Sequence, residues 1–349
     1  RPVVGHGHPE VEAAVDAVGR SGICFNHPTE LSVQLAEKLV ELIDFAGWAV
    51  FAKNGSDVTT WCTQVAREAT GRKKILCAES AYHGSAPWCT PGHGGLTETD
   101  GEHTARFKWN DPQSITDLFV AHQDDIAAVF VTPFHHPLFH GSELPDETFI
   151  DTVHNLCEQH GSLLVLDDIR AGFRLQLGGS HQVYGWRPDL ACYSKAMANG
   201  HPISAAVGRA ELKAAASKVF LTGSFWNGPA EMAAALKTIE IIERDDIIEQ
   251  IHNSGEAMMR GWIEAASEHG LDIKWSGAPG LPFMRFESDP DYGRRHAFSR
   301  FCYANGIFIH PHHNWFLSGA HSAQDIEESI RVAAAGFALV AELVENSRD

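Results

Sequence analysis

A lysine and a pair of carboxylates stand at the ends of two short apolar runs in this chain, and both placements invite chemistry. Ser162-Leu-Leu-Val-Leu-Asp-Asp168 reads as a buried strand that stops abruptly on Asp167 and Asp168. In open α/β sheets, ligands bind beyond the carboxyl ends of the strands. A carboxylate there can hold a proton on the nitrogen of a pyridine ring and keep that ring able to accept electrons. It could equally be an ordinary turn or helix-cap residue. Asp189-Leu-Ala-Cys-Tyr-Ser-Lys195 is a second such run and ends on Lys195. Most lysines are solvated surface groups, but one at a strand end in apolar surroundings has its pKa lowered and becomes an amine nucleophile.

Asn54-Gly-Ser-Asp57 lies between a strand and a helix expected to begin near Val58. Its backbone N–H groups and the Ser56 hydroxyl would face the start of that helix, which is a seat for phosphate, although a plain helix cap has the same composition. Tyr82-His83-Gly84 follows another strand, and the Tyr82 ring could stack on a flat cofactor or simply fill a loop. His83 and His313 are the candidate substrate contacts. The His-rich loops, including Phe134-His-His-Pro137, lack the fixed spacing of a metal site, so no metal is expected.

The elements that must position these residues alternate along the chain. Val50–Phe51, Lys74–Ala78, Ile126–Thr132, Ser162–Asp168, Leu190–Ser194 and Ala205–Gly208 are the expected strands. Between them, Val58, Trp61, Cys62, Val65, Ala66 and Ala69 fall at helical spacing, as do Phe149, Ile150, Val153, Leu156 and Cys157. These two helices stop at Gly71 and Gly161, and a strand follows each. Alternation of this kind predicts an α/β fold with a mostly parallel sheet. Past residue 243 the strand signal weakens and helical patterns take over at Ile247–His269 and Ala323–Val344. The last helix carries a stripe of Ile326, Ile330, Ala333, Phe337, Val340 and Val344, with Ser322 and Asp325 as its capping box. The expected organisation is an N-terminal segment over 1–24, a large domain over 25–243 and a smaller C-terminal domain over 244–349.

Bulk composition narrows the partners. A formal net charge of −18 would repel nucleic-acid phosphates and anionic lipid surfaces, which leaves a small-molecule substrate. Seven cysteines with no CxxC pair read as reduced thiols, which favours the cytoplasm. No apolar run reaches the length of about 20 residues that a membrane-spanning helix needs. The chain opens on Arg1 within a motif-like stretch, so a preceding segment is expected.

The order of the pieces is more informative than any one of them. Gly5-His-Gly-His-Pro9, Phe25-Asn-His-Pro-Thr-Glu30, Lys53-Asn-Gly-Ser-Asp57, Gly71-Arg-Lys-Lys-Ile75 and Tyr82-His-Gly84 come first. Asp167-Asp-Ile-Arg-Ala-Gly-Phe-Arg174, Ser194-Lys195, Gly223-Ser-Phe-Trp-Asn-Gly-Pro229 and Ser318-Gly-Ala-His-Ser322 follow. The succession resembles the class III pyridoxal-phosphate aminotransferases over nearly the whole chain, with its closest likeness to glutamate-1-semialdehyde aminomutase and its relatives. The resemblance implies fold type I, pyridoxal 5'-phosphate as cofactor, and transfer of an amino group between an amine or amino acid and a keto or aldehyde acceptor. An intramolecular aminomutase and, less in keeping with the retained motifs, a non-catalytic fold relative are the alternatives.

By the same resemblance Lys195 is the Schiff-base lysine and proton shuttle, Asp167 the partner of the pyridine nitrogen, and Ile169 the aliphatic residue against the ring. Gly55 and Ser56 form the phosphate turn and Tyr82 the stacking aromatic. Ser224 reaches the phosphate of a neighbouring subunit, which implies a homodimer with shared sites. Two departures affect the substrate contacts. Val131-Thr-Pro133 lacks the carboxylate of the family's Val-Glu-Pro, and His310-Pro-His-His-Asn-Trp-Phe316 lacks the carboxylate of the aminomutase loop.

Overall fold

The computed structural model describes residues 2–92, 94–137 and 140–346, with side chains through residue 343. The chain divides into two compact units, one of residues 1–135 and 144–245, the other of residues 136–143 and 246–349. Residues 1–24, expected as a separate segment, fall within the first unit.

The first unit opens with α1 (Pro9–Gly19) and α2 (Glu30–Leu42), then β1 (Trp48–Ala52), α3 (Gly55–Thr70) and β2 (Lys74–Ala78). Next come β3 (Thr104–Phe107), α4 (Pro112–Ala121), β4 (Ile126–Val131), α5 (Glu147–His160), β5 (Leu163–Asp167) and the short α6 (His181–Tyr184). It ends with β6 (Leu190–Tyr193), β7 (Ser204–Gly208), α7 (Lys213–Ala216) and α8 (Pro229–Arg244). The strands form one seven-stranded sheet in the order β1-β7-β6-β5-β4-β2-β3. β2, β3, β4, β5 and β6 run parallel, and β7 is antiparallel to both its neighbours, β6 and β1. All six residues of β4 and all four of β6 are buried, as expected of strands covered on both faces. Val58, Trp61, Cys62 and Val65 of α3 join Phe130, Val165 and Cys192 in the core, so the stripe read at helical spacing is the face that packs on the sheet. α3 and α5 end, as expected, at Gly71 and Gly161 in the left-handed conformation.

The segment ahead of α1 is held by side chains of the first unit, Asn199 foremost, with Arg174 donating to the Pro2 carbonyl at 3.3 Å. The Asn199 carboxamide oxygen accepts from the backbone N–H of Val3 at 2.9 Å and of Val4 at 3.1 Å, and its nitrogen donates to the Gly5 carbonyl at 2.6 Å. Val3 and Val4 are buried, so without Asn199 two N–H groups would lose their partner away from water. Asn199→Ala should therefore cost roughly 2–4 kcal/mol of unfolding free energy, read from denaturant titration. A loss below about 0.5 kcal/mol would mean that solvent replaces these bonds.

The second unit holds α9 (Ile247–Glu268), the antiparallel hairpin β8 (Ile273–Ser276) and β9 (Phe283–Phe286), α10 (Gly293–Ala304) and α11 (Ala323–Asn346). Ile326, Ala333, Phe337 and Val340 of the α11 stripe are buried; the Val344 side chain lies outside the described residues. The Ser322 N–H donates to Asp325 Oδ2 at 2.8 Å and the Asp325 N–H to Ser322 Oγ at 3.2 Å, which is the reciprocal cap read from the sequence. Gly261 of α9 meets α11 so closely that a Cβ would stand 2.5 Å from Ile330 Cδ1. No described helix is long and apolar enough to cross a membrane.

Candidate active site

Beyond the carboxyl ends of β4, β5 and β6, the first unit contains a cavity of about 540 Å³, in the size range of small-molecule sites. Gly55, Ser56, Tyr82, His83, Asp167, Ile169 and Lys195 all border it. These residues are far apart in sequence, and the parallel crossovers of the sheet bring them together.

Asp167 is the last residue of β5 and is 5 % exposed. Its Oδ1 accepts the Ile169 N–H at 3.2 Å, and its Oδ2 stands 2.9 Å from His83 Nδ1. An ionised carboxylate only accepts, so Nδ1 is the protonated nitrogen of that ring. The His83 ring lies parallel to Trp88 with centroids 6.3 Å apart and edge-on to Phe130 at 5.6 Å, which leaves it 2 % exposed. His83, expected as a substrate contact, borders the cavity with its ring packed in aromatic surroundings and bonded to Asp167.

Lys195 follows β6 after the single residue Ser194 and opens a 3-10 turn, Lys195–Ala198. Its φ of 46° is in the left-handed region, which a non-glycine residue enters only when the surroundings hold it there. Ser194 Oγ anchors the approach by donating to the Ile203 carbonyl at 2.8 Å.

α3 begins at Gly55, with Asn54 as its cap, rather than near Val58. The Asp57 carboxylate reaches back to accept the Asn54 N–H at 2.8 Å, so the first turn forms within the segment expected to precede the helix. The first N–H groups of the helix, at Gly55 and Ser56, have no intrahelical acceptor and belong to the cavity wall. Ser56 Oγ accepts the Ser85 N–H at 3.0 Å, which folds the Tyr82–Ser85 loop onto the helix start. Gly84 permits this contact: its φ is +134°, and a Cβ there would lie 2.5 Å from Ser56 Oγ. Tyr82 borders the cavity with half of its surface open.

Two further expected site residues are not among those that border this cavity. Ser224 is exposed on the loop before α8, where its carbonyl accepts from Cys24 Sγ at 2.9 Å. His313 belongs to the second unit, with its ring centroid 5.8 Å from that of Phe316. Among the described residues no group of three or more His, Cys, Asp or Glu side chains could hold a metal.

Asp168, one residue past Asp167, is fully buried and accepts the Ser180 N–H at 2.7 Å. Burial pushes its pKa up to about 7, against the pull of the Ser180 bond. Because the folded value exceeds the ordinary carboxyl value of 3.8, the stability this group contributes is full at low pH and is lost as the pH rises through 7. The thermal midpoint should fall as the pH is raised from about 4 to 7 and level off above that, and Asp168→Asn should flatten that fall. Parallel pH profiles for both proteins would exclude Asp168 as a source.

Known proteins resemble this chain in sequence and fold. Residues 2–317 match the class-III aminotransferase family. The chain is 42 % identical over 338 residues to an aminopentol aminotransferase from Sphingopyxis macrogoltabida, covering 97 % of this chain and 80 % of that one. It is 30 % identical over 368 residues to a glutamate-1-semialdehyde 2,1-aminomutase from Syntrophobacter fumaroxidans (strain DSM 10017 / MPOB), covering 98 % and 84 %. The solved structure of the FumI protein of Sphingopyxis sp. MTA144, in its PLP internal aldimine form, superposes with a TM-score of 0.96 at 42 % identity, covering 98 % of this chain and 83 % of that one. With a match to the family over nearly its full length and a shared fold, this chain belongs to the class-III aminotransferases, which use pyridoxal phosphate.

Proposed function

We propose that this chain moves an amino group between an amine or amino-acid donor and a keto or aldehyde acceptor, with pyridoxal phosphate as carrier. The observation that carries this reading is the convergence on one cavity of a strand-end lysine, a buried carboxylate and a helix N-terminus. That set fits the cofactor: the α3 N–H groups suit its phosphate, Asp167 its ring nitrogen and Lys195 its carbonyl carbon. The Ile169 side chain fills the space that a Cβ on Gly55 would need, 2.6 Å from Ile169 Cδ1, which leaves an aliphatic surface beside the helix start. When bound, the cofactor supplies a carbonyl that condenses with amines and a ring that takes up the electron pair of the bond broken at the substrate carbon.

The chain's own residues do the rest. Asp167 holds the proton on the ring nitrogen, and the His83 Nδ1–H fixes the direction of its carboxylate. Lys195 Nζ would hold the cofactor at its carbonyl carbon and, when free, would take and return the proton at the substrate carbon. Gly55 and Ser56 would hold the phosphate through their N–H groups, and Tyr82 would offer an aromatic face to the ring. Between transfer and intramolecular mutation, the greater identity to an aminotransferase, 42 % against 30 % to an aminomutase, favours transfer. The test is spectroscopic. An amine donor should convert the bound cofactor to its amine form, and a separate keto acid should convert it back. Donors that never change the spectrum of a loaded protein would refute the reading.

We further propose a homodimer in which Ser224 serves the partner's site. Ser224 is exposed and is not among the residues bordering its own chain's cavity. Beside it, the segments joined by the Cys24–Ser224 bond expose Ile23 at 73 %, Phe220 at 85 % and Phe225 at 67 %, an apolar patch suited to a second copy. The described cysteines are all free thiols, which supports the cytoplasm as its compartment. Mixing inactive Lys195→Ala with inactive Ser224→Tyr under subunit exchange should restore about a quarter of wild-type activity, since half the dimers then hold one intact site. A mixture of folded, exchanging dimers that stays inactive would contradict shared sites.

A further inference from the structure

The phosphate seat at the start of α3 is short of positive charge, an observation whose meaning rests on the cofactor reading above. A helix start presents about half a positive charge, whereas a phosphate ester near pH 7 carries about 1.5 to 2 negative ones. The first turn of α3 also holds Asp57, whose carboxylate accepts the Asn54 N–H at 2.8 Å. The helix start therefore does not offset even its own carboxylate. Lys53 lies between the end of β1 and the Asn54 cap, and it borders the same cavity. Its ammonium is held in place: it meets Glu231 Oε1 at 2.5 Å, and the two side chains are only 15 % and 19 % exposed. Glu231 is in the first turn of α8, so the start of that helix offsets part of its charge. Gly228, the cap of α8, makes room for the pair, since a Cβ there would press on the Glu231 carboxylate and stand 3.2 Å from Lys53 Nζ.

We propose that Lys53 is a further residue of the cofactor site, supplying the full positive charge that the phosphate requires, with Glu231 as the residue that positions it. An ammonium has three N–H donors and Glu231 Oε1 takes one, so others remain for a phosphate oxygen. Charge balance decides the need. With Lys53 in place, Asp57, Glu231 and the starts of α3 and α8 leave the seat about neutral; without it the seat is about one unit negative before any phosphate arrives. Low exposure makes the charge count for more than it would in open water.

The experiment uses the full chain freed of cofactor and measures, by calorimetry, its binding of pyridoxamine 5'-phosphate and of pyridoxamine. The two ligands differ only in the phosphate, and neither condenses with a lysine. In Lys53→Met the Kd for pyridoxamine 5'-phosphate should rise about 10- to 100-fold and that for pyridoxamine less than about threefold. Glu231→Gln breaks the same ion pair but leaves the ammonium, so it should bind pyridoxamine 5'-phosphate no more weakly than the wild type does. The double variant Lys53→Met/Glu231→Gln leaves no carboxylate without its partner. It should also lose the preference for the phosphorylated ligand, and it carries the test if Lys53→Met does not fold. Equal losses on breaking the pair from either side, or equal losses for the two ligands, would make the pair a strap between β1 and α8 and overturn the proposal. A wild type that bound pyridoxamine 5'-phosphate no better than pyridoxamine would refute the phosphate seat at Gly55 and Ser56, and this proposal with it.

Discussion

Lys195→Ala should abolish covalent attachment of pyridoxal phosphate and lower transfer activity by at least about 10⁴-fold, since it removes both the attachment point and the proton carrier. No other lysine bordering the cavity can take its place. Lys53 is there, but its ammonium is held 2.5 Å from Glu231 Oε1, with both side chains largely buried, and that pairing fixes its position. Lys195 instead sits in a left-handed turn immediately after Ser194, and that conformation fixes where its side chain leaves the backbone. The phosphate seat at Gly55 and Ser56 and the Asp167 carboxylate do not depend on it, so the variant should still bind the cofactor reversibly. Dialysis would remove the cofactor from the variant and leave it on the wild type. A variant that retains covalent cofactor, or more than about one per cent of activity, would contradict the assignment.

Asp167→Asn should keep the fold and the covalent attachment and slow the proton-transfer half-reaction by about 10²–10³-fold. The substitution is isosteric, and its single amide oxygen can accept from one of the His83 Nδ1–H and Ile169 N–H groups, so the packing is kept at the cost of one of these bonds. What disappears is the negative charge. A neutral amide cannot hold a proton on the ring nitrogen, and the ring becomes a weaker electron acceptor. Asp168→Asn should have a much smaller effect on the same half-reaction, because Asp168 is fully buried and bonded to the Ser180 N–H rather than bordering the cavity. His83→Ala should fall between the two, since it leaves the Asp167 charge in place and removes only what orients it. If Asp168→Asn proved more damaging than Asp167→Asn in single-turnover rates, the cofactor partner would have been misplaced by one residue.

The main strands and the chemistry at their ends were legible for one physical reason. A strand buried on both faces reads as an unbroken apolar run, and an ionisable residue that ends such a run stands out, as Asp167 and Lys195 do. Strand direction left no such mark: the apolar pattern of Ser204–Gly208 is the same whichever way β7 runs, and it runs antiparallel. β3, with Thr104 and Arg106 on the edge of the sheet, is too polar to be read as a strand. The start of α3 was placed three residues late because Gly55, Ser56 and Asp57 have loop composition, and only the bond from the Asp57 carboxylate to the Asn54 N–H turns them into a first helical turn. His83 illustrates the limit for side chains. A histidine after a strand looks like a substrate contact, and its actual partner, Asp167, is 84 residues away in sequence. The inclusion of residues 136–143 in the second unit has no local sequence signal either.

The most direct test of the account is borohydride reduction of the loaded wild-type protein, followed by proteolysis and mapping of the cofactor-labelled peptide. The label should appear on the peptide containing Lys195, in near-stoichiometric yield, and should be lost when the protein is first converted to its amine form with a donor. A label on Lys53 or Lys218, or one that an amine donor leaves unchanged, would contradict it.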